Sequence, residues 1–332
     1  MYNFDNFRGK NVLITGGAGF IGSNLAIKLV ELDANVTIID SLIPEYGGNL
    51  FNLEPIKDKV KLNISDVRDE HSMKYLIRDH DYLLNLAGQT SHIDSMSNPY
   101  VDLDINARAQ LSILEACRRY NPEIKIVFAS TRQIYGKPQY LPVDENHQLF
   151  PVDVNGINKM AGEWYHIVYN NVYKINSVVL RLTNTYGPRM RVKDARQTFL
   201  GIWIKNFIEG NKILVFGDGK QIRDFNYVDD VVSAILLSAQ SNDVNGMIFN
   251  LGADYPINLE DTARLMLEIS NSSSYELVPF PADRKAIDIG DYYADYEKIK
   301  SKLNWQPKME LKDGLKLTID FYKKFQKHYW DS

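Results

Sequence analysis

The amino-acid sequence predicts an α/β protein: a doubly wound parallel sheet with a smaller C-terminal lobe. Three observations predict it. Apolar runs in the first half alternate with helical stretches, a glycine-rich turn follows the first run, and the texture changes after about Leu182. Alternation of this kind sets strands side by side in parallel and returns the chain through helices on their faces.

The apolar runs are Val12 to Thr15, Val36 to Asp40, Val60 to Ile64, Tyr82 to Leu86, Ile124 to Ala129 and Ser177 to Leu182. Short, continuous and rich in Val, Ile and Leu, they read as strands buried on both faces. Ser23 to Leu32, Asp104 to Tyr120 and Asn158 to Asn171 read as helices between them. Ligands of such sheets bind beyond the carboxyl ends of the strands. Functional weight therefore falls on Asp66-Val67, Ala87-Gly88-Gln89, Ser130-Thr131 and Thr183-Asn184.

Past Leu182, Tyr186-Gly187-Pro188 and Gly217-Asp218-Gly219 signal turns, and Ile248 to Leu251 reads as a late strand. Asp261 to Ile269 and Asp313 to Phe325 read as helices. The division expected is 1–182 and 183–332. The second part is mainly a lobe over the sheet's carboxyl edge, with segments around 225–252 returning to the main domain.

The turn itself, Thr15-Gly16-Gly17-Ala18-Gly19-Phe20-Ile21-Gly22, lies between a strand and a helix start, where a dinucleotide pyrophosphate sits in a Rossmann-type fold. Gly16 permits the tight turn, Gly19 lets backbone approach phosphate, and Gly22 lets the helix pack close to the sheet. The helix N-terminus adds unpaired N–H groups. Asp40 ends the second apolar run about 20 residues on, where a carboxylate accepts both ribose hydroxyls. Ser41 and Leu42 follow it with no arginine for a 2′-phosphate, so the expected cofactor is NAD rather than NADP.

Composition narrows the partners. The 332 residues are 45% hydrophobic with a net charge of −4, which gives no electrostatic reason to expect nucleic acid or an anionic membrane. Met1 to Lys10 is polar and of mixed charge, unlike a secretory leader, and runs such as Val231 to Ala239 are too short to span a bilayer. Cys117 is the only cysteine, which suits a reducing cytoplasm, and the six histidines lack metal-ligand spacing, so no metal is expected.

Over nearly its whole length the sequence resembles the extended short-chain dehydrogenase/reductase family that modifies nucleotide sugars, the UDP-glucose 4-epimerase-like epimerases and 4,6-dehydratases. The matching stretches are Gly16 to Gly22, Asp40, Asp66-Val67, Leu86 to Gln89, Asn106, Ser130-Thr131, Ile134-Tyr135-Gly136, Lys159 to Glu163, Arg181 to Arg189 and Gly217 to Phe225. The resemblance implies that Phe20, Ile21 and Ser41 join the glycines and Asp40 at the cofactor and that Asp66 and Val67 hold its adenine. It also implies that Ala87, Gly88, Gln89 and Asn106 line it and that Lys159 bridges the nicotinamide ribose. Arg223 would hold the diphosphate of a nucleoside diphosphate sugar, with Asn184 and Phe216 near the sugar and base and Arg284 or Lys285 as a second cation. Arg189, Arg191, Lys193 and Arg196 also cluster, as phosphate contacts or as a solvated loop.

The family's reaction oxidises a sugar hydroxyl, with the tyrosine of a Tyr-x-x-x-Lys pair as base. Here the lysine is Lys159 and the position four before it is Asn155, whose amide does not titrate. Thr131 matches the family's catalytic Ser/Thr. Lys159, Tyr135 and His92 remain candidates for the base, and Tyr165 points away from the Lys159 face of its helix. The positions of the dehydratases' Asp-Glu acid–base pair hold Arg132 and Gln133, which disfavours that mechanism. The function expected is an epimerase working through a transient keto sugar, at C4. The rivals are a dehydratase or isomerase with an unusual base, and a non-catalytic binding protein. By family analogy the chain is a homodimer, with Leu111, Leu114, Trp164, Ile167 and Val168 offering apolar surface on the helices of the seam.

Overall fold

The computed structural model describes residues 2–196, 198–270 and 273–330. Strands β1 (Asn11–Thr15), β2 (Asn35–Asp40), β3 (Val60–Ile64), β4 (Tyr82–Asn85), β5 (Lys125–Thr131) and β6 (Ser177–Leu182) share one sheet with the late strand Ile248–Asn250. The order across the sheet is Ile248–Asn250, β6, β5, β4, β1, β2, β3, and every neighbouring pair is parallel. From β1 the chain steps outward to β2 and β3, then returns to β1's other side as β4. The crevice beyond β1 and β4 is therefore the switch point at which such sheets bind ligands.

Strand periodicity divides the core between the two faces. Val12, Ile14, Ile38, Leu84 and Val127 pack with Leu25 and Leu29 of the helix Phe20–Glu31 and with Val231 and Ile235 of the helix Val228–Gln240. The alternate residues Leu13, Ile39, Leu83 and Ile126 pack with Ile113, Leu114 and Cys117 of the helix Ala109–Tyr120. The helix Val154–Tyr173 lies beside that one and contributes Tyr169.

Two expectations need correction. The terminal strand β3 is not buried on both faces, for Leu62 is 37% and Ile64 64% exposed. Leu114 and Ile167 point inward, at 0% and 8% exposure, because the 3.6-residue period turns them toward the sheet; Leu111, Trp164 and Val168 stay outside.

Three two-stranded pieces form the carboxyl-edge lobe: Asn184–Tyr186 with Phe225–Tyr227, Ile213–Phe216 with Tyr275–Val278, and Ile222–Arg223 with Ile257–Asn258. The amphipathic helix Leu311–Phe325 buries Leu315, Ile319 and Tyr322 and leads the chain back to the first domain. There Tyr329 Oη donates to Asn52 Oδ1 at 2.7 Å, and Asn52 Nδ2 donates to the Ala18 carbonyl at 2.9 Å. The end of the chain thus braces the glycine turn.

Candidate active site

The turn after β1 leaves room for nothing larger than glycine at two positions. Gly16 has φ of +70°, and a Cβ on Gly22 would stand 2.2 Å from the Gly16 carbonyl oxygen. No side chain caps the helix Phe20–Glu31, whose N-cap is Gly19, so its first-turn N–H groups remain for an anion. Asp40 is buried at the end of β2. Its Oδ2 accepts the Ala18 N–H at 2.9 Å and its Oδ1 accepts the Leu42 N–H at 2.8 Å. Burial raises its pKa, and the two N–H donors oppose that rise.

One cavity of about 720 Å³ runs from this turn, past Ser41, Asp66 and Val67, to the carboxyl-edge lobe. Asp66 is paired with Arg68 at 2.6 Å, which holds its carboxyl below the usual range. Ala87 and Gly88 line the cavity where β4 ends. Gln89 and Asn106 are at 2% and 0% exposure and stand behind that wall rather than on it, Asn106 Nδ2 donating to the Gln89 carbonyl at 2.8 Å.

Midway along the cavity are Thr131, Asn155 and Lys159. Lys159 Nζ donates to the Ala129 carbonyl at 3.1 Å and lies 5.0 Å from the centre of the Phe128 ring. Burial lowers its pKa to about 8, against the charge of Asp102. Asn155 Nδ2 donates to the Gln89 carbonyl at 2.8 Å and to Asp102 Oδ2 at 3.0 Å. With its donor side fixed, Asn155 offers its Oδ1 to the cavity as an acceptor. Thr131 accepts the Gln133 N–H at 3.2 Å and so caps the short helix Arg132–Tyr135.

The other base candidates are tied elsewhere. Tyr135 Oη donates to Asn250 Oδ1 at 2.7 Å and accepts from Arg181 at 2.6 Å, and burial pushes its pKa up to about 12. It packs in a core cluster with Ile134 and Tyr292. Tyr165 packs against the core on the far side. His92 lines the cavity with Nδ1 2.9 Å from Asp153 Oδ2 but outside hydrogen-bond alignment. That carboxylate also holds the Gln133 amide and the Gly156 N–H, both at 2.7 Å.

At the lobe end, Arg223 donates through Nη1 to the carbonyls of Ile222, at 2.8 Å, and Gly290, and its Nη2 is 3.4 Å from Asp288 Oδ1. Burial, with Arg132 nearby, lowers its pKa to about 10. Asn184 Nδ2 donates to the Asp224 carbonyl at 2.9 Å. Phe216 and Phe280 stand 5.6 Å apart, and the Arg284 guanidinium lies 5.5 Å from the Phe216 ring centre. The cluster at 189–196 is largely paired: Arg189 donates to Asn24 at 2.9 Å, Arg191 meets Asp194 at 2.6 Å and Arg196 meets Asp94 at 3.3 Å, while Lys193 lines the cavity.

Sequence reasoning missed Asp102 and Phe280. Asp102 lies 53 positions before Asn155 and no local pattern joins them. Phe280 follows Tyr275–Val278, whose pairing with Ile213–Phe216 sets the two phenylalanines together.

The chain matches the family described as GDP-mannose 4,6 dehydratase over residues 13–318. It belongs to that family. Within reach of this GDP-mannose 4,6 dehydratase family member, the dTDP-D-glucose 4,6-dehydratase of Homo sapiens is 31% identical over 331 residues, which cover 97% of this chain and 92% of that protein. The crystal structure of the UDP-glucose 4-epimerase of Thermotoga maritima with UDP-glucose is 32% identical, with a TM-score of 0.85 over 95% of this chain and 99% of that one. The UDP-glucuronic acid 4-epimerase of Bacillus cereus, in complex with UDP-glucuronic acid and NAD, is 26% identical with a TM-score of 0.84 over 95% and 99% of the two chains. Relatives named for both reactions, epimerase and dehydratase, thus match this chain along more than nine-tenths of its length. None of the described helices is long and apolar enough to cross a membrane.

Proposed function

We propose that this family member is an NAD-dependent nucleotide-sugar epimerase that works through a transient 4-keto sugar. The observation that carries the proposal is the single cavity joining an uncapped glycine-turn helix to Arg223, with Thr131, Asn155 and Lys159 between them. The cradle fits NAD: Gly16 makes the tight turn and Gly22 seats the helix start against it, which leaves the uncapped first turn for a pyrophosphate, and Asp40 keeps lone pairs for ribose hydroxyls beside its two backbone donors. Bound NAD supplies reversible hydride acceptance. Residues 1–182 would hold it and the rest of the chain, mainly, the sugar nucleotide.

The residues divide the remaining work. Arg223 binds the diphosphate, and Phe216, Phe280 and Arg284 form a slot for the base. Thr131 hydrogen-bonds the reacting hydroxyl. Asn155 cannot take a proton, so its Oδ1 only orients that hydroxyl, and Lys159, with its pKa lowered to about 8, takes the proton. The same ammonium returns it after the keto sugar has turned its other face to the cofactor.

Arg132 and Gln133 argue against elimination of water. Neither side chain provides the acid–base pair of the dehydratases, and Gln133 donates its amide to Asp153. The chain would act as a homodimer in the cytoplasm, pairing through the exposed faces of Leu111, Trp164 and Val168. Turnover of UDP-, GDP-, CDP- and dTDP-sugars, followed by NMR, tests the reaction. A C4 epimer is the expected product. A 4-keto-6-deoxy product would establish the dehydratase instead, and binding without any product a non-catalytic protein.

A further inference from the structure

Arg132 is an arginine without a counterpart. Arg132 lines the cavity, its Nε is buried, and it has neither a hydrogen bond nor an ion pair among the described residues. Its side chain lies 5.6 Å from the centre of the Tyr292 ring, and Tyr292 is itself 1% exposed, so the group rests on a fixed aromatic shelf. Asp224 and Asp288 act on it only through space. The Asp224 carboxylate is committed to the Thr183 hydroxyl and to the Ala294 N–H at 3.0 Å, and Asp288 Oδ2 to the Gln221 amide at 2.6 Å. An arginine whose Nε is buried without a hydrogen-bond partner is costly, and its planar fork matches a carboxylate in two parallel hydrogen bonds.

Position tells which anion it faces. Arg132 directly follows Thr131 at the end of β5, and the Tyr292 on which it rests is bridged through its backbone to Arg223. It therefore stands between the place of the reacting hydroxyl and the place of the diphosphate, which is where the substituents of the sugar ring lie. Resting on the proposed nucleotide-sugar site, we propose that Arg132 is a specificity residue that selects a sugar bearing a carboxylate, a nucleoside diphosphate hexuronate, over the neutral hexose.

The test is calorimetric titration of the NAD-loaded protein with UDP, dTDP, GDP and CDP. For the nucleotide that binds most tightly, the corresponding glucose and glucuronate conjugates are then compared. The expected result is that glucuronate binds at least about tenfold more tightly than glucose, the equivalent of about 1.4 kcal/mol. Arg132→Gln should bring the two within about twofold of each other while affinity for the bare nucleotide is kept. Arg132→Lys, which keeps the charge without the fork, should fall between. Equal binding of glucose and glucuronate by the parent protein overturns the inference alone. So does an Arg132→Gln variant that loses as much affinity for the bare nucleotide as for the glucuronate, since the arginine then serves the diphosphate. Failure of all four nucleotides to bind overturns the nucleotide-sugar site, and this inference with it. Circular dichroism and NAD titration of each variant confirm that it is folded.

Discussion

Asn155 and Asp102 form a buried amide–carboxylate pair, Nδ2 to Oδ2 at 3.0 Å, and Asn158 Nδ2 closes on the other carboxylate oxygen at 2.8 Å. All three side chains are at most 5% exposed. The position where the resemblance calls for a tyrosine is thus built for an amide that neutralises no charge but satisfies a carboxylate and the Gln89 carbonyl. A phenol there would lose the amide's second donor hydrogen and press on Gln89, Asp102 and Ser95. Asn155→Tyr is expected to cost about 1–3 kcal/mol of stability through overpacking and to give no gain in sugar oxidation. Thermal unfolding and NADH formation on the correct sugar nucleotide check it. A variant of unchanged stability that oxidises faster would mean that the pocket has kept space for the phenol.

Asp40 has two tasks, and its replacement should reveal both. Its carboxylate holds the Ala18 and Leu42 N–H groups and so the shape of the glycine turn. Asp40→Ala should weaken NAD binding by about 1.5–3 kcal/mol, through lost charge-assisted hydrogen bonds and a looser turn. Fluorescence titration with NAD and NADP measures this. Unchanged NAD affinity, or a parent protein that prefers NADP, would refute the assignment.

His166 stacks on Phe128 with ring centres 4.3 Å apart, and burial lowers its pKa to about 4. In the unfolded chain a histidine titrates near 6.5. Between those two values the unfolded state binds a proton that the folded state refuses, so stability falls as pH drops from about 6.5 to about 4 and is level below that. The full effect is about 3 kcal/mol, from the size of the shift. His166→Leu should remove this part of the acid sensitivity. Urea unfolding of parent and variant at pH 7 and at pH 4.5 gives the difference, and identical pH slopes would count against it.

The strands, the glycine turn and the place of Asp40 were legible in the sequence because their signals are local. Val12 to Thr15 followed by Gly16 and Gly22 is a strand, a turn and a helix start within a dozen residues, and Asp40 ends the next strand. The apolar faces of the helices were less legible. Leu111 and Leu114 are three apart, yet one is exposed and the other buried, since the helix turns an edge residue outward while its neighbour meets the sheet. Asp102 beneath Asn155, and Tyr292 beneath Arg132, were not legible at all. Those pairings are made by the packing of separate segments, and neither residue type announces its partner. Arg132 was noticed for the acid it replaces, but only its lack of a hydrogen bond or ion pair among the described residues gives it a positive role.

Lys159 decides between two chemistries through pH. Its pKa lowered to about 8 means that the neutral amine becomes the main form above that pH, and a positively charged nicotinamide beside it would lower the value further. If the amine takes the hydroxyl proton, kcat/KM for epimer exchange should rise with pH up to about 8 and then level. If the ammonium only holds the nicotinamide ribose, the rate should instead fall as pH rises through the same range, because the charge that makes the contact is lost. The rising profile is the expected one, since Asn155 cannot titrate and Tyr135 is held by Asn250 and Arg181. Lys159→Arg, which stays charged throughout, should bind NAD and lose turnover at every pH, and Lys159→Ala should abolish turnover as well. A fully active Lys159→Ala variant would refute both roles, for it would show that the sugar is oxidised without this side chain.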